Sequence, residues 1–362
     1  MKTSGLLNFL QGTMTLKVVG MFTIAFVSTV VLTPLLRRLA LKWGVFDHPN
    51  VRKIHSRPVP YLGGVAMFLG FFLALGLLAK WNTHLVGFAI GATIMLIIGM
   101  IDDMIDVSPK FKLLGQTVAA LVLIASGVSI AYVSDFIHGS GVIYLGFWAV
   151  PLTVIWLVGI TNTVNLIDGL DGLAAGVSVI ASVTFLIVGI IDNQVPPILL
   201  LTAGLAGVSG AFLFYNFYPA VIFMGDSGSL FLGFSLATVG VMGALKGTTI
   251  ATLVIPVLAL GVPIYDTVLA IFRRGIADEQ VFKPDKEHFH HRMLALGFSH
   301  RQTVVIIYGI SSLLGICAIA LSKISDARSL IVLTFIGVLF IIGTGQIARR
   351  LKSRHEHTER NS

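Results

Sequence analysis

The chain has 362 residues, 56% of them hydrophobic and 12% charged, with a formal net charge of +8. Soluble domains carry roughly 25% charged residues, so this chain has too little charge to coat a water-facing surface, and a soluble globular protein is excluded. The one cysteine, Cys317, rules out an intrachain disulfide framework and a zinc site built on several thiolates, and no basic stripe interleaved with aromatics offers a surface to nucleic acid.

Apolar runs of roughly 20 residues recur along the chain, long enough to cross a ~30 Å hydrocarbon core as helices. They predict eleven spans, over 16–36, 62–79, 84–101, 113–134, 146–164, 173–191, 197–215, 229–245, 249–272, 303–321 and 329–347. The runs do not alternate with period two, which excludes β-barrel strands. The fold class is therefore all-α: a polytopic membrane protein. The first run is expected to be a span rather than a cleavable signal, because it is too long for a signal core and its basic pair, Arg37 and Arg38, follows it. Cys317, inside the tenth run, reads as a packing residue. Gly204, Gly207 and Gly210 in the seventh run allow close helix packing. Residues 1–351 read as one transmembrane domain without internal repeats, and 352–362 as a polar, disordered cytoplasmic tail.

Lysine and arginine set the orientation. With the N-terminus outside, 19 of the 25 basic residues fall on one side of the membrane, which is then cytoplasmic, with the C-terminus inside. Every chemically distinctive cluster falls on that side, although hydropathy, which sets the spans, is independent of those clusters.

The first cytoplasmic loop carries Arg52-Lys53-Ile54-His55-Ser56-Arg57-Pro58-Val59-Pro60 ahead of Gly63-Gly64. Its partners are anionic lipid headgroups or a substrate phosphate. Asp102 and Asp103 close the third run, and Asp106 lies one helical turn beyond Asp102. On a continuing helix Asp102 and Asp106 share a face while Asp103 points elsewhere. Like charges this close to hydrocarbon are costly, and a metal ion or a cationic partner would relieve them; a solvated carboxylate run is the alternative. Lys112 opens Lys-Leu-Leu-Gly-Gln at the next span, placed to neutralise a phosphate or to anchor the helix end.

In Asn165-Leu166-Ile167-Asp168-Gly169-Leu170-Asp171-Gly172, Asn165 and Asp168 share a helical face and the glycines permit a tight turn. Asp171 is a ligand or an N-cap. In Met224-Gly225-Asp226-Ser227-Gly228-Ser229 the glycines let backbone approach a ligand, and the start of a helix attracts phosphate. A carboxylate beside phosphate suggests Mg2+ between them; a plain Asp or Ser cap is the alternative. This is not a P-loop, because the required lysine spacing is absent. His288-Phe289-His290-His291-Arg292, with Lys283 and Lys286, is rich in donors and suits an anion better than zinc. Asp266, near the end of the ninth run, reads most simply as a partner for Arg273 or Arg274, with a supporting place behind the site residues as the alternative.

As an ordered set, these segments resemble the polyprenyl-phosphate N-acetylhexosamine-1-phosphate transferases, from about Arg37 to Arg350. The resemblance implies transfer of a sugar 1-phosphate from a UDP-N-acetylhexosamine to polyprenyl (undecaprenyl) phosphate, releasing UMP. It implies dependence on Mg2+, with Mn2+ as a substitute, and a bacterial plasma-membrane enzyme with a cytoplasmic site, for which a homodimer is an allowed assembly. It makes Asp226 the main metal ligand, with Asp102 beside it. Asp102, Asp103, Asp168 and His290 become the catalytic group. Asp106, Lys112, Asn165, Asp171, His288, His291 and Arg292 become substrate contacts, with Lys53 and His55 from the first loop. The His-Phe-His-His-Arg and Pro-Val-Pro forms are similar to the branch that uses UDP-N-acetylglucosamine in teichoic acid or related envelope polysaccharide synthesis. The peptidoglycan sibling, which takes UDP-N-acetylmuramoyl-pentapeptide, has three consecutive histidines where Phe289 intervenes here. An ion-coupled transporter would show repeats and a site near the membrane midplane, and a scaffold would have no use for four reactive clusters on one face.

Overall fold

The computed structural model describes residues 12–47, 58–105, 107–134, 142–244, 251–276 and 289–322. Its helices are α1 (Thr13–Trp43), α2 (Gly63–Leu78), α3 (Thr83–Ile105), α4 (Pro109–Ala125), α5 (Ala149–Leu166), α6 (Leu173–Ile191), α7 (Pro196–Asn216), α8 (Gly225–Ala244), α9 (Ala251–Ala259), α10 (Gly261–Ile276), α11 (Phe289–Ala295) and α12 (His300–Leu321). Among the described residues, six helical stretches are long and apolar enough to cross a membrane: Thr13–Trp43, Thr83–Ile105, Gly146–Leu166, Leu173–Ile191, Pro196–Asn216 and His300–Leu321. Apolar side chains point outward along them, among them Val27 and Val31 on α1, Ile90 and Ile97 on α3 and Leu313 and Ile316 on α12. Such a surface suits lipid and not water. The protein is an all-α membrane protein.

The helix α8 is the axis of the bundle. It is buried along almost its whole length and touches α2, α3, α5, α6, α7 and α9. Its polar side chains are satisfied internally, as hydrocarbon demands: Ser235 Oγ donates to Phe231 O (2.7 Å) and Thr238 Oγ1 to Phe234 O (2.8 Å). Phe231 and Phe234 join Phe68, Phe71, Phe72 and Phe88 in a continuous aromatic layer between α2, α3 and α8. The amide pair Gln116–Asn162 clips α4 to α5, with Gln116 Nε2 donating at 3.1 Å and Asn162 Nδ2 at 2.6 Å.

Close approach of backbones at one end of the axis decides where the site forms. A side chain on Gly99 of α3 would collide with the backbone of Asp226 and Ser227, and one on Gly64 of α2 with that of Gly228. Gly99→Ala is expected to cost about 1–3 kcal/mol by overpacking, read as a lower thermal midpoint in detergent; an unchanged midpoint would show that α3 and α8 separate freely. Gly204 and Gly207 on α7 likewise admit Met21, Phe71 and the backbone of α1, whereas Gly210 has only ordinary contacts.

Several expectations need correction. The fourth run does not stay helical to 134. It breaks at Ser126-Gly127, where Gly127 has φ +93° and the Ser126 carbonyl meets His84 Nδ1 at 2.7 Å. Beyond it, Tyr132–Ser134 (β3) pairs antiparallel with Val142–Tyr144 (β4), aromatic and β-branched residues that suit a strand. A second small pair, Phe46–Asp47 (β1) with Val59–Pro60 (β2), ties the end of α1 to the entry of α2. The ninth run is two helices, α9 and α10, joined at Leu260. The span expected over 329–347 and the tail over 352–362 lie outside the described residues. Cys317 is half-buried and packs against the core.

Candidate functional site

Helices that run in opposite directions present opposite ends to the same place. The ends of α3, α5 and α7 and the starts of α6, α8 and α12 meet around a cavity of about 300 Å³. Its lining includes Asp103, Asn165, Asp168, Asp171 and Asp226 together with Tyr61 and His300.

The loop into α2 is drawn there by backbone pairing. Phe223 N donates to Pro60 O (2.9 Å), Gly63 N to Phe223 O (3.1 Å) and Gly64 N to Met224 O (3.0 Å). Leu62 takes a left-handed conformation, φ 86°, to make this turn.

The start of α8 is held by a carboxylate from α3. Asp103 Oδ1 accepts from Asp226 N (2.7 Å) and Oδ2 from Ser227 N (3.2 Å). The helix start expected to attract phosphate is therefore capped by Asp103, which satisfies two of its free donors. Gly225, at φ +68°, faces the same carboxylate, which leaves no room for a side chain.

Its neighbour Asp102 points the other way. Asp102 Oδ1 accepts from Val107 N (3.0 Å), and Oδ2 meets Lys112 Nζ at 2.5 Å. Lys112 Nζ also lies 2.6 Å from Asp226 Oδ2. Lys112, expected at a phosphate, thus bridges the two carboxylates named as metal ligands.

Asn165 Nδ2 donates to Ser229 Oγ (2.8 Å), joining the second cluster to the third. Asp168 stands on the cavity wall, where burial first, and then the charges of Asp226, Asp103 and Asp171, hold its carboxyl well above the usual carboxylate range. It keeps a proton to higher pH than an ordinary aspartate, and positive charge in the cavity would reverse that. Asp171 does not cap α6, whose N-cap is Gly172 at φ 81°. Its Oδ2 accepts from Ala220 N (2.9 Å), tying this loop to the turn before α8. Asn216 Oδ1 accepts from Gly172 N (3.0 Å) and Tyr308 Oη donates to Gly172 O (2.5 Å).

The histidine segment reaches the cavity from behind. His290 is buried and packs on Gly169, where an added Cβ would stand 2.6 Å from Nε2. The His291 ring lies 4.3 Å from that of His290, and Arg292 occupies the last turn of α11. None of the three is on the cavity's described lining, and His290 reaches its wall through Gly169. Asp266 accepts from Phe289 N at 2.8 Å; the side chains of Arg273 and Arg274, its expected partners, lie outside the described residues, as do Lys53, His55, Asp106 and His288.

Sequence reasoning missed Tyr61, Asn216, Tyr218, Phe223 and His300, all on the lining. Tyr61 and Phe223 face each other with centroids 6.4 Å apart, and His300 stacks on Tyr218 at 4.5 Å. Each is a polar or aromatic residue at the end of an apolar run, and that position was the signal available.

Among the described residues, no three His, Cys, Asp or Glu side chains gather as a metal cage. The donors present suit a different kind of site. The Oδ2 atoms of Asp102 and Asp226 converge on one cationic centre, and Mg2+ is commonly held by one or two carboxylates, with waters and substrate phosphates completing its shell.

An acidic cavity at the meeting point of the ends of apolar helices marks a multi-pass membrane protein with a polar site at those helix ends. The sequence comparisons give the particular family. The family model for glycosyl transferase family 4 matches residues 85–244. The chain is 40% identical over 330 residues, 90% of each chain, to a probable undecaprenyl-phosphate N-acetylglucosaminyl 1-phosphate transferase of Bacillus subtilis. It is 36% identical over 300 residues, 75% of this chain and 74% of the relative, to a decaprenyl-phosphate N-acetylglucosaminephosphotransferase of Mycobacterium tuberculosis. It is 30% identical over 301 residues, 78% of each chain, to an undecaprenyl-phosphate alpha-N-acetylglucosaminyl 1-phosphate transferase of Salmonella typhi. The chain belongs to glycosyl transferase family 4, among its polyprenyl-phosphate N-acetylhexosamine-1-phosphate transferases.

Proposed function

We propose that the protein transfers N-acetylglucosamine 1-phosphate from UDP-N-acetylglucosamine to undecaprenyl phosphate, giving undecaprenyl-diphospho-N-acetylglucosamine and UMP. The observation that carries this reading is the 40% identity over 90% of both chains to a relative named for that transfer. The site suits it: four carboxylates from three separate segments, Asp102, Asp103, Asp168 and Asp226, gather at one end of the bundle beside a cavity. In the cell this would be the first membrane step of a teichoic acid or related envelope polysaccharide. The proposed topology is eleven spans in the plasma membrane with the cavity facing the cytosol, supported by the 19 basic residues on that side.

Phosphoryl transfer needs positioning and charge neutralisation more than covalent chemistry. Asp226 and Asp102 would hold Mg2+, which when bound neutralises the donor diphosphate. The acceptor is a phosphate monoester, whose second pKa is ~6, so it arrives largely ionised and needs little help from a base. Both oxygens of Asp102 already have partners in Val107 and Lys112, which favours positioning over proton transfer. Lys112, released from the carboxylates as positive charge enters, is placed to meet a phosphate. Asp103 holds the backbone of Asp226, while Asn165 and Asp171 fix the walls against which the nucleotide sugar lies. His290, His291 and Arg292 supply donors to the diphosphate from behind Gly169.

Purified protein incubated with undecaprenyl phosphate and a panel of UDP-sugars is expected to release UMP with UDP-N-acetylglucosamine and to yield a lipid of the matching mass. Chelation should abolish turnover and Mg2+ should restore it. No lipid product with any UDP-N-acetylhexosamine would defeat the proposal, and product only with the muramoyl-pentapeptide donor would move the protein to the sibling reaction.

A further inference from the structure

One buried charge has no part in the chemistry proposed above. Asp266 lies on α10, 4% exposed, in a bundle where an ionised carboxylate is expensive to keep. Its Oδ1 accepts the N–H of Phe289 at 2.8 Å. Phe289 is the first residue of α11, and the next residue is His290. Asp266 and His290 line the same small cavity, whose other walls are Ile167, Leu173, Val262, Phe289 and Ile307. Those walls are apolar, so a charge there acts on its neighbours with little screening. On its other side, the His290 ring rests on Gly169, with room for no side chain between them. His290 is therefore held between α10 and the loop that carries Asp168 and Asp171.

From this arrangement we infer that Asp266 is a positioning residue for phosphoryl transfer, acting through His290. It anchors the start of α11 through the Phe289 N–H. Its charge orients the His290 imidazole and favours the ring as a donor, as carboxylates do for the histidines they support. A donor aimed past Gly169 is what an anionic diphosphate in the neighbouring cavity requires. This inference rests on the assignment of His290 to the reaction.

Asp266→Asn separates anchor from charge, because the amide oxygen still accepts from Phe289 while the negative charge is gone. In wild-type background it is expected to lower kcat at least ~10-fold with KM for undecaprenyl phosphate unchanged and the thermal midpoint near wild type. In a His290→Gln background the same change should cost less than about 2-fold, since the two act as a unit. With nitrogen-labelled histidine, the ring resonance of His290, assigned by its loss in His290→Gln, should move in Asp266→Asn. Where Asp266→Asn does not fold, Asp266→Glu shifts the same charge by one methylene and is read by the same cycle and spectrum. Equal losses in both backgrounds, wild-type kcat, or an unmoved resonance overturns the inference. A wild-type protein without turnover would defeat the proposed function instead, and the spectrum would still decide the role of Asp266.

Discussion

Asp226→Asn is expected to insert and fold like wild type and to lose UMP release by more than ~100-fold. Changes to groups that only support a metal ligand cost 10–100-fold, so loss of a ligand should exceed that range. The substitution is nearly isosteric, and the backbone at the start of α8 is held by other groups: Ser227 Oγ bonds Met224 O, and Asp103 takes the backbone N–H groups. What disappears is one of the two carboxylates that converge on Lys112 Nζ at 2.5 and 2.6 Å. With Asp102 alone, the pair cannot hold a divalent ion and leave Lys112 for a phosphate. Chelation and Mg2+ titration on the variant give the check. Turnover within a few fold of wild type, still dependent on Mg2+, would remove Asp226 from the metal.

Asp103→Ala should damage the protein in two measurable ways. Its carboxylate takes the N–H groups of both Asp226 and Ser227, and loss of an N-cap costs about 1–2 kcal/mol. The N–H groups of Asp226 and Ser227 then have no acceptor, and Asp226 moves with the first turn of α8. Misplacement of a reacting group by ~1 Å can cost on the order of 100-fold in rate. The expected result is a lowered thermal midpoint together with a rate loss approaching that of Asp226→Asn. Asp103→Asn, which keeps one oxygen acceptor, should fall between Asp103→Ala and wild type. If Asp103→Ala turned over normally despite a lower midpoint, the placement of Asp226 would not depend on its cap.

The two neighbours Asp102 and Asp103 show how far a linear reading reaches. Helical spacing alone separates their faces, and in the fold they do diverge, Asp102 toward Lys112 and Asp103 toward α8. Spacing could not show that Asp103 ends at Asp226, 123 residues further along, and that Asp102 reaches it through Lys112, because that depends on Gly99 and Gly225 letting α3 and α8 touch. His300 and Tyr218 went unseen for a related reason. Each is unremarkable in its own segment, and only the return of α12 against α6 stacks them on the cavity wall.

Hydropathy and low charge alone place this chain among membrane helices, because both are summed along the chain and need no partner. The sequence also singled out Asp103, Asn165, Asp168, Asp171 and Asp226, which line the cavity, since acids are costly at the edges of apolar runs. The contacts that each residue makes come from the fold: Asp103 caps, Lys112 bridges, Asp171 ties two turns, and Asp266 anchors the helix of His290. Hydrogen bonds and ion pairs act over a few ångströms between residues a hundred or more apart in sequence, and the packing of small residues along α8 brings them within that reach.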